Sequence, residues 1–249
     1  MTDQILKIDE QTPVTDIVNG DYRTADVLLK YNIDFCCGGR WPLQVACEAR
    51  GVSTDLVIQD LETATRRILI SPTLNFNNWP IDFLADYLVH VHHAYMKEAL
   101  PSIHDHLSKF VAGHRKKFPY LDELQLHFLK LYKQMPVHLQ QEEEVLFPYI
   151  KRISRAFNGK EPYAELMVRT LRKPIAARME EEHQQTEELL GNFRRLTNNY
   201  STPEDACVSH RVAFLKLQEL DDDLVQHMRL ENEILFPRAI AIENTLLGK

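Results

Sequence analysis

Two stretches of this 249-residue chain, HLQQEEEVLFP at 138–148 and HMRLENEILFP at 227–237, match at six of eleven positions, and each carries a glutamate four residues after a histidine. Residues four apart on a helix lie on one face, so His138 with Glu142, and His227 with Glu231, can each present a nitrogen and an oxygen to one point. One such pair alone is ordinarily a surface ion pair. These two stand in apolar frames. Leu131, Met135, His138, Glu142, Val145 and Tyr149 follow one helical stripe, and Leu217, Leu220, Leu224, His227, Glu231 and Ile234 follow the other. An ionised glutamate inside a helix bundle costs several kcal/mol unless positive charge cancels it. Two divalent cations would cancel two glutamates.

Each repeat also has a histidine upstream. His93 precedes His138 by 45 residues and His183 precedes His227 by 44, so four helices supply His, His-x-x-x-Glu, His and His-x-x-x-Glu in order. His93 shares a face with Val89, Met96, Leu100, Ile103 and Leu107, and His183 with Met179, Thr186, Leu190 and Phe193. If each glutamate bridges two metals and each metal takes two histidines, every ion has about four protein donors of the six an octahedral site uses. Two positions then stay open for water, an oxo bridge, oxygen or nitric oxide. Ferritin-like di-iron bundles use mostly carboxylates, so four histidines with two glutamates point away from them. Imidazole-rich sets suit iron, and ligand type alone leaves zinc, manganese and copper open.

The elements that must hold these residues are helices. Eight glycines and few alternating β-branched runs leave little material for hairpins. The class expected is all-α, an up-down four-helix bundle with a small helical domain before it. Long helical patterns run over about 81–112, 121–153, 163–198 and 206–242, broken by HRKKFPY, FNGKEP and NNYSTPED. Residues 1–72 read as short helices: one ending near Asn19-Gly20, one over Tyr22 to Tyr31, one after Trp41-Pro42 and one opened by Ser53 or Thr54. SPTLNFNNWP, 71–80, reads as a linker, which puts the bundle at 81–249 and predicts few contacts across the boundary. All eleven histidines lie in the bundle part.

The remaining histidines fit the site less well. His92 is turned about 100° from His93 around the helix. His90 reads as a packing or supporting residue. His114 is 21 residues past His93, about 31 Å along a straight helix, unless the chain folds back at Pro101. His104, His106, His127 and His210 lack a carboxylate in a repeated frame and read as surface or packing residues. Glu144 and Glu233 sit on the far face. Asp223, one turn before His227, could orient it, although its counterpart in the first repeat is Gln134.

A formal charge of −7, pI near 5.9 and 26% interspersed charged residues give no basic stripe for phosphates, so nucleic acid is not an expected partner. The start MTDQILKIDE lacks a secretion signal's basic-then-apolar order, and no window reaches the roughly 18 apolar residues of a membrane span. The expected location is the cytoplasm. Four cysteines, Cys36, Cys37, Cys47 and Cys207, are too few for a disulfide framework and read as free thiols, with Cys47 and Cys207 as core residues. Cys36-Cys37, before Gly38-Gly39, read as the end of a helix where the backbone turns. They are either small packing residues or thiols that receive iron, sulfur or nitric oxide.

With YNIDFCCGG at 31–39, HHAYMKEALP at 92–101, EEEH at 180–183 and the two Leu-Phe-Pro segments, the sequence closely resembles the repair-of-iron-centres family over nearly its whole length. The resemblance implies a hemerythrin-like bundle holding two non-haem irons. It places family ligands at His93, His138, Glu142, His183, His227 and Glu231, and a further family histidine at His114. It also implies a part in nitrosative and oxidative stress, in which clients are iron–sulfur proteins with damaged clusters, restored by donated iron. Alternatives are an enzyme or sensor that binds or reduces nitric oxide or oxygen, and an interaction module with a structural metal. A homodimer is compatible with either.

Overall fold

A computed structural model describes residues 8–36, 39–66, 74–171 and 175–248. Among the described residues every regular element is helical. The N-terminal unit comprises α1 (Val14–Gly20), α2 (Thr24–Lys30), α3 (Leu43–Arg50) and α4 (Thr54–Thr65). Gly51 closes α3 in the left-handed region, φ 66°, and the Ser53 hydroxyl caps α4 by accepting from the Leu56 amide. Cys36 does not end a helix, contrary to the sequence expectation. It lies in the irregular segment after α2, where the Asp34 carboxylate accepts its amide at 2.8 Å. Cys37 lies outside the described residues. Gly39 has a separate reason: a Cβ there would stand 2.4 Å from the Phe35 carbonyl oxygen and the Thr15 methyl, while the Gly39 carbonyl accepts the Thr15 amide at 2.7 Å.

The bundle rods are α5 (Ile81–Tyr87) leading to α6 (Ala94–His114), α7 (Tyr120–Gln141) to α8 (Phe147–Asn158), α9 (Ala164–Leu171) to α10 (Ile175–Leu196), and α11 (Val208–Leu230) to α12 (Phe236–Leu246). Three rods run through one π-helical turn, at Leu88–His93, Glu142–Leu146 and Glu231–Leu235. The last two precede the prolines of Leu-Phe-Pro. Pro148 and Pro237 have no N–H for the carbonyl four residues back, and their rings crowd it; widening the turn relieves both. The extra residue also rotates the remainder of each rod. Val145, placed on the inward stripe by the 3.6-residue period, is 45% exposed, while Leu146 is buried.

α6 packs on α7 and α11, and α7 on α10, around one core that includes Leu107, Phe110, Phe128, Phe193, Phe214 and Leu217. A second core, with Leu88, Phe147, Ile150, Leu235 and Phe236, fills the end made by α5, α8 and α12. The π turns lie between the two. α6 continues through Pro101, so the chain does not fold back there.

Contacts across the boundary exceed the sequence expectation. Val208 and Val212 of α11 belong to the same core cluster as Val14, Ile17, Leu28 and Leu43 of the N-terminal unit. Asp26 on α2 accepts from Ser102 Oγ at 2.7 Å, His106 Nε2 at 2.8 Å and Lys216 Nζ at 2.6 Å. His106 is therefore a buried docking residue rather than a surface one. His210 is likewise buried, stacked on Phe110 at 4.6 Å.

Candidate metal centre

His93, Glu142, His227 and Glu231 each bring one ligand atom within 4.8 Å of the others, and His138, Glu142, His183 and Glu231 do the same. All six residues are buried, and both glutamates belong to both sets. The π turns deliver them: His93 ends the first, while Glu142 and Glu231 open the other two, each one helical turn after its histidine. Glu142 Oε2 lies 3.3 Å from His93 Nε2 and 3.8 Å from His227 Nε2, and its Oε1 lies 3.3 Å from His138 Nε2. Glu231 Oε2 lies 3.2 Å from His183 Nε2 and 3.6 Å from His227 Nδ1. His93 and His227 bring their Nε2 atoms to 3.1 Å.

The outer nitrogens are held in their turn. The Nδ1–H groups of His93, His138 and His183 donate to Glu143 Oε1 at 2.8 Å, Glu182 Oε2 at 2.7 Å and Asn232 Oδ1 at 2.9 Å. Each bond leaves an Nε2 lone pair aimed at the centre, the usual support of a metal-bound imidazole. His227 Nδ1 has no hydrogen-bond partner. In the repeat the counterpart of Glu182 is His92, which is buried 5.9 Å from the His227 ring and has its own Nδ1 held by Asp223 at 2.9 Å. Asp223 thus orients His92, not His227. Sequence reasoning missed Glu143, Glu182 and Asn232, although each adjoins a chosen residue and Glu143 and Asn232 correspond in the repeat. His90 is exposed, as are Glu144 and Glu233; His114 stands at the far end of α6.

Electrostatics set the requirement. No hydrogen bond reaches any carboxylate oxygen of Glu142 or Glu231, nor His183 Nε2. Burial, reinforced by the Glu231 charge, pushes the Glu142 carboxyl far above the usual carboxylate range, and burial raises Glu231 to about 8. Burial and then the surrounding histidines hold His227 well below its ordinary value, and burial lowers His138 against the pull of Glu182. Four bare carboxylate oxygens facing imidazole lone pairs in a dry core are what a pair of cations satisfies, so the donor set fits two metal ions. An open groove of about 550 Å³ lined by Glu180, His183, Asn232 and Phe236 borders the cluster at His183.

Fold and site together define a cation-binding helical bundle whose donors come from four rods. The sequence profile of the hemerythrin HHE cation-binding domain matches residues 84–239, and the chain belongs to that family. Residues 10–65 match ScdA_N, a domain of unknown function. Among curated proteins, the chain is 28% identical to the iron-sulfur cluster repair protein YtfE of Escherichia coli O81 (strain ED1a) over 221 residues, 89% of this chain and 93% of that protein. The protein of the same name from Escherichia fergusonii (strain ATCC 35469) gives the same figures. Among the described residues no helix is long and apolar enough to cross a membrane.

Proposed function

We propose that the centre holds two non-haem irons, one served by His93 and His227 and the other by His138 and His183, with Glu142 and Glu231 shared, and that the protein repairs iron–sulfur clusters damaged by nitrosative or oxidative stress by donating iron. The observation that carries this reading is the sharing: two buried glutamates, bare of hydrogen bonds, each facing histidines of both sets. The names of the curated relatives support the repair role. Iron bound there supplies Lewis-acid and one-electron chemistry. Glu143, Glu182 and Asn232 fix the tautomers of three imidazoles, and the two apolar cores keep water from the carboxylates. Partners on this reading are iron–sulfur proteins with damaged clusters, with nitric oxide or oxygen as small ligands, in the cytoplasm.

Cys36 and Cys37 are proposed as the reactive thiols. Cys36 lines one open cavity with His114, the last residue of α6, so about 20 residues at ~1.5 Å each separate that end from His93. Its chemistry therefore takes place at a client rather than at the metal centre of its own chain. The test is anaerobic incubation of iron-loaded protein with a cluster-depleted dehydratase, beside nitric oxide turnover on the same sample. Restored dehydratase activity with matching iron loss is expected; rapid nitric oxide consumption without iron transfer would replace donation with catalysis.

A further inference from the structure

The segment leading into α5, expected from its prolines to be a plain linker, is held against the bundle by aromatic rings that continue to the metal centre. Trp79 meets Tyr87 of α5 edge to face, with ring centroids 5.3 Å apart at 80°. Tyr87 meets His92 in the same way at 5.5 Å and 75°, and His92 lies 5.9 Å from the His227 ring. Edge-to-face contact is a favoured aromatic geometry, and it brings the four rings into one continuous file. The file is anchored at both ends. The Trp79 carbonyl accepts from Arg238 Nη1 on α12 at 2.7 Å, and the His92 Nδ1–H donates to Asp223 at 2.9 Å.

The file also runs from solvent inward. Trp79 and Tyr87 are half-buried, whereas His92 and His227 are buried. Packing alone would be served by leucine or phenylalanine at positions 79 and 87. Tryptophan and tyrosine are instead the ring side chains that give up one electron to a strong oxidant. The contrast lies within the centre itself: the rings stacked on His93 and His183 are Phe147 and Phe236, which hold their electrons.

We infer that Trp79 and Tyr87 form an electron path to the buried centre, by which an oxidising equivalent arising at iron leaves past His92 to the protein surface and is quenched there by a small thiol; this rests on the iron reading of the centre. The oxidant is hydrogen peroxide meeting a single ferrous ion. Peroxide takes one electron from that iron and one from Tyr87, and with two protons becomes two waters. Without the second electron the same encounter releases a hydroxyl radical beside the ligand histidines. Tyr87 gives its phenolic proton to solvent as it is oxidised and regains one when Trp79 reduces it. Trp79 in turn takes an electron from the thiol, which loses its proton and pairs with a second thiyl as a disulfide. His92 carries the coupling between the rings and ends unchanged.

For the test, the full chain is loaded anaerobically with ferrous iron, its iron per chain is measured, and one equivalent of hydrogen peroxide is added without thiol. Radicals are trapped by freezing for electron paramagnetic resonance, and oxygen addition is mapped on peptides. Trp79 should be oxidised well ahead of Trp41, the chain's other tryptophan, although Trp41 is 62% exposed. Tyr87→Phe should cut Trp79 oxidation at least tenfold and move the damage onto His92 and His227, with bound iron unchanged. Trp79→Phe should leave the radical on tyrosine, its signal narrowed by ring-deuterated tyrosine. Tyr95→Phe, which alters a half-buried ring three residues past His92 but outside the file, should change neither. Trp41 oxidised as much as Trp79, or Trp79 oxidation unchanged in Tyr87→Phe, would overturn the path and leave the iron centre standing. A chain that takes up no iron would overturn the iron reading and the path with it.

Discussion

Asp26→Ala tests how the N-terminal unit is fixed to the bundle. In the native protein the Asp26 carboxylate accepts from Ser102, His106 and Lys216, and the last two are only 4% and 6% exposed. Removing the carboxylate leaves the Lys216 ammonium buried without its counter-ion. Breaking a fully buried pair costs roughly 3–5 kcal/mol. The Asp26 side chain is 45% exposed, so solvent already screens part of the interaction, and about 2–3 kcal/mol remains. At about 1.4 kcal/mol per factor of ten, hydrogen exchange in α2 and in the middle of α6 should quicken by roughly 30- to 140-fold, with α7 and α10 unaffected. Lys216→Met in the Asp26→Ala background removes the stranded charge and should restore most of the protection. Burial works against ionisation of Asp26, yet the His106 bond and the Lys216 charge outweigh it and hold the carboxyl well below the usual range. The stabilisation is therefore full above the ordinary carboxylate pKa and fades as pH falls toward the depressed value, so wild type should converge on the variant in acid. Exchange unchanged in Asp26→Ala, or a double variant no better protected than the single one, would refute the clamp.

Glu142→Ala or Glu231→Ala should lower bound iron, measured per chain, more than His92→Ala, because each glutamate serves both sets and His92 neither. Metal loss to a chelator should be biphasic, with the His93/His227 half emptying first, since His227 alone lacks an Nδ1 partner; supporting bonds of this kind are worth roughly 10- to 100-fold in affinity. His210, which burial and then the neighbouring His114 hold down at about 4, should stay neutral in an NMR titration well below the ordinary histidine value, its contribution to stability waning as pH falls from about 6.5 toward that point. A fragment beginning near Trp79 should keep its metal yet unfold at lower urea than the intact chain, because truncation uncovers Val208, Val212, His106 and Lys216.

The all-α class and the meeting of His93, His138, Glu142, His183, His227 and Glu231 were legible in the sequence because the repeat encodes them locally. An i, i+4 pair and an apolar stripe need only the helical period to be read. What broke that period could not be read with it: the π turns slip the register by one residue, so the stripe points to Val145 where the fold buries Leu146. Glu143, Glu182 and Asn232 carried a weak signal, since each adjoins a site residue, but a surface-like Glu-Glu or Glu-Asn looks the same whether or not it braces an imidazole. The docking pair was invisible for a different reason. Asp26 and Lys216 are 190 residues apart, and no local pattern announces a contact of that separation. The same holds for His114 and Cys207, 93 residues apart, each an ordinary helix-end residue until the fold joins them.

That separation along the rod bears on how the molecule is organised. α6 is one unbroken helix from Ala94 to His114; His93 of the buried His/Glu cluster stands just before its start, and His114, against Cys207, closes its end. A helix of that length is a spacer of about 30 Å, stiffened on two sides by α7 and α11. Cysteine sulfur and the buried carboxylates are thereby kept apart: among the described residues no cysteine joins either of the two His/Glu groups. The N-terminal unit is nevertheless fixed to the same rod through Asp26, His106 and Ser102, so its position relative to the centre is set by α6 itself rather than by the linker before Trp79. The cavity beside Cys36 and the groove beside His183 are therefore separate openings, one at each end of α6.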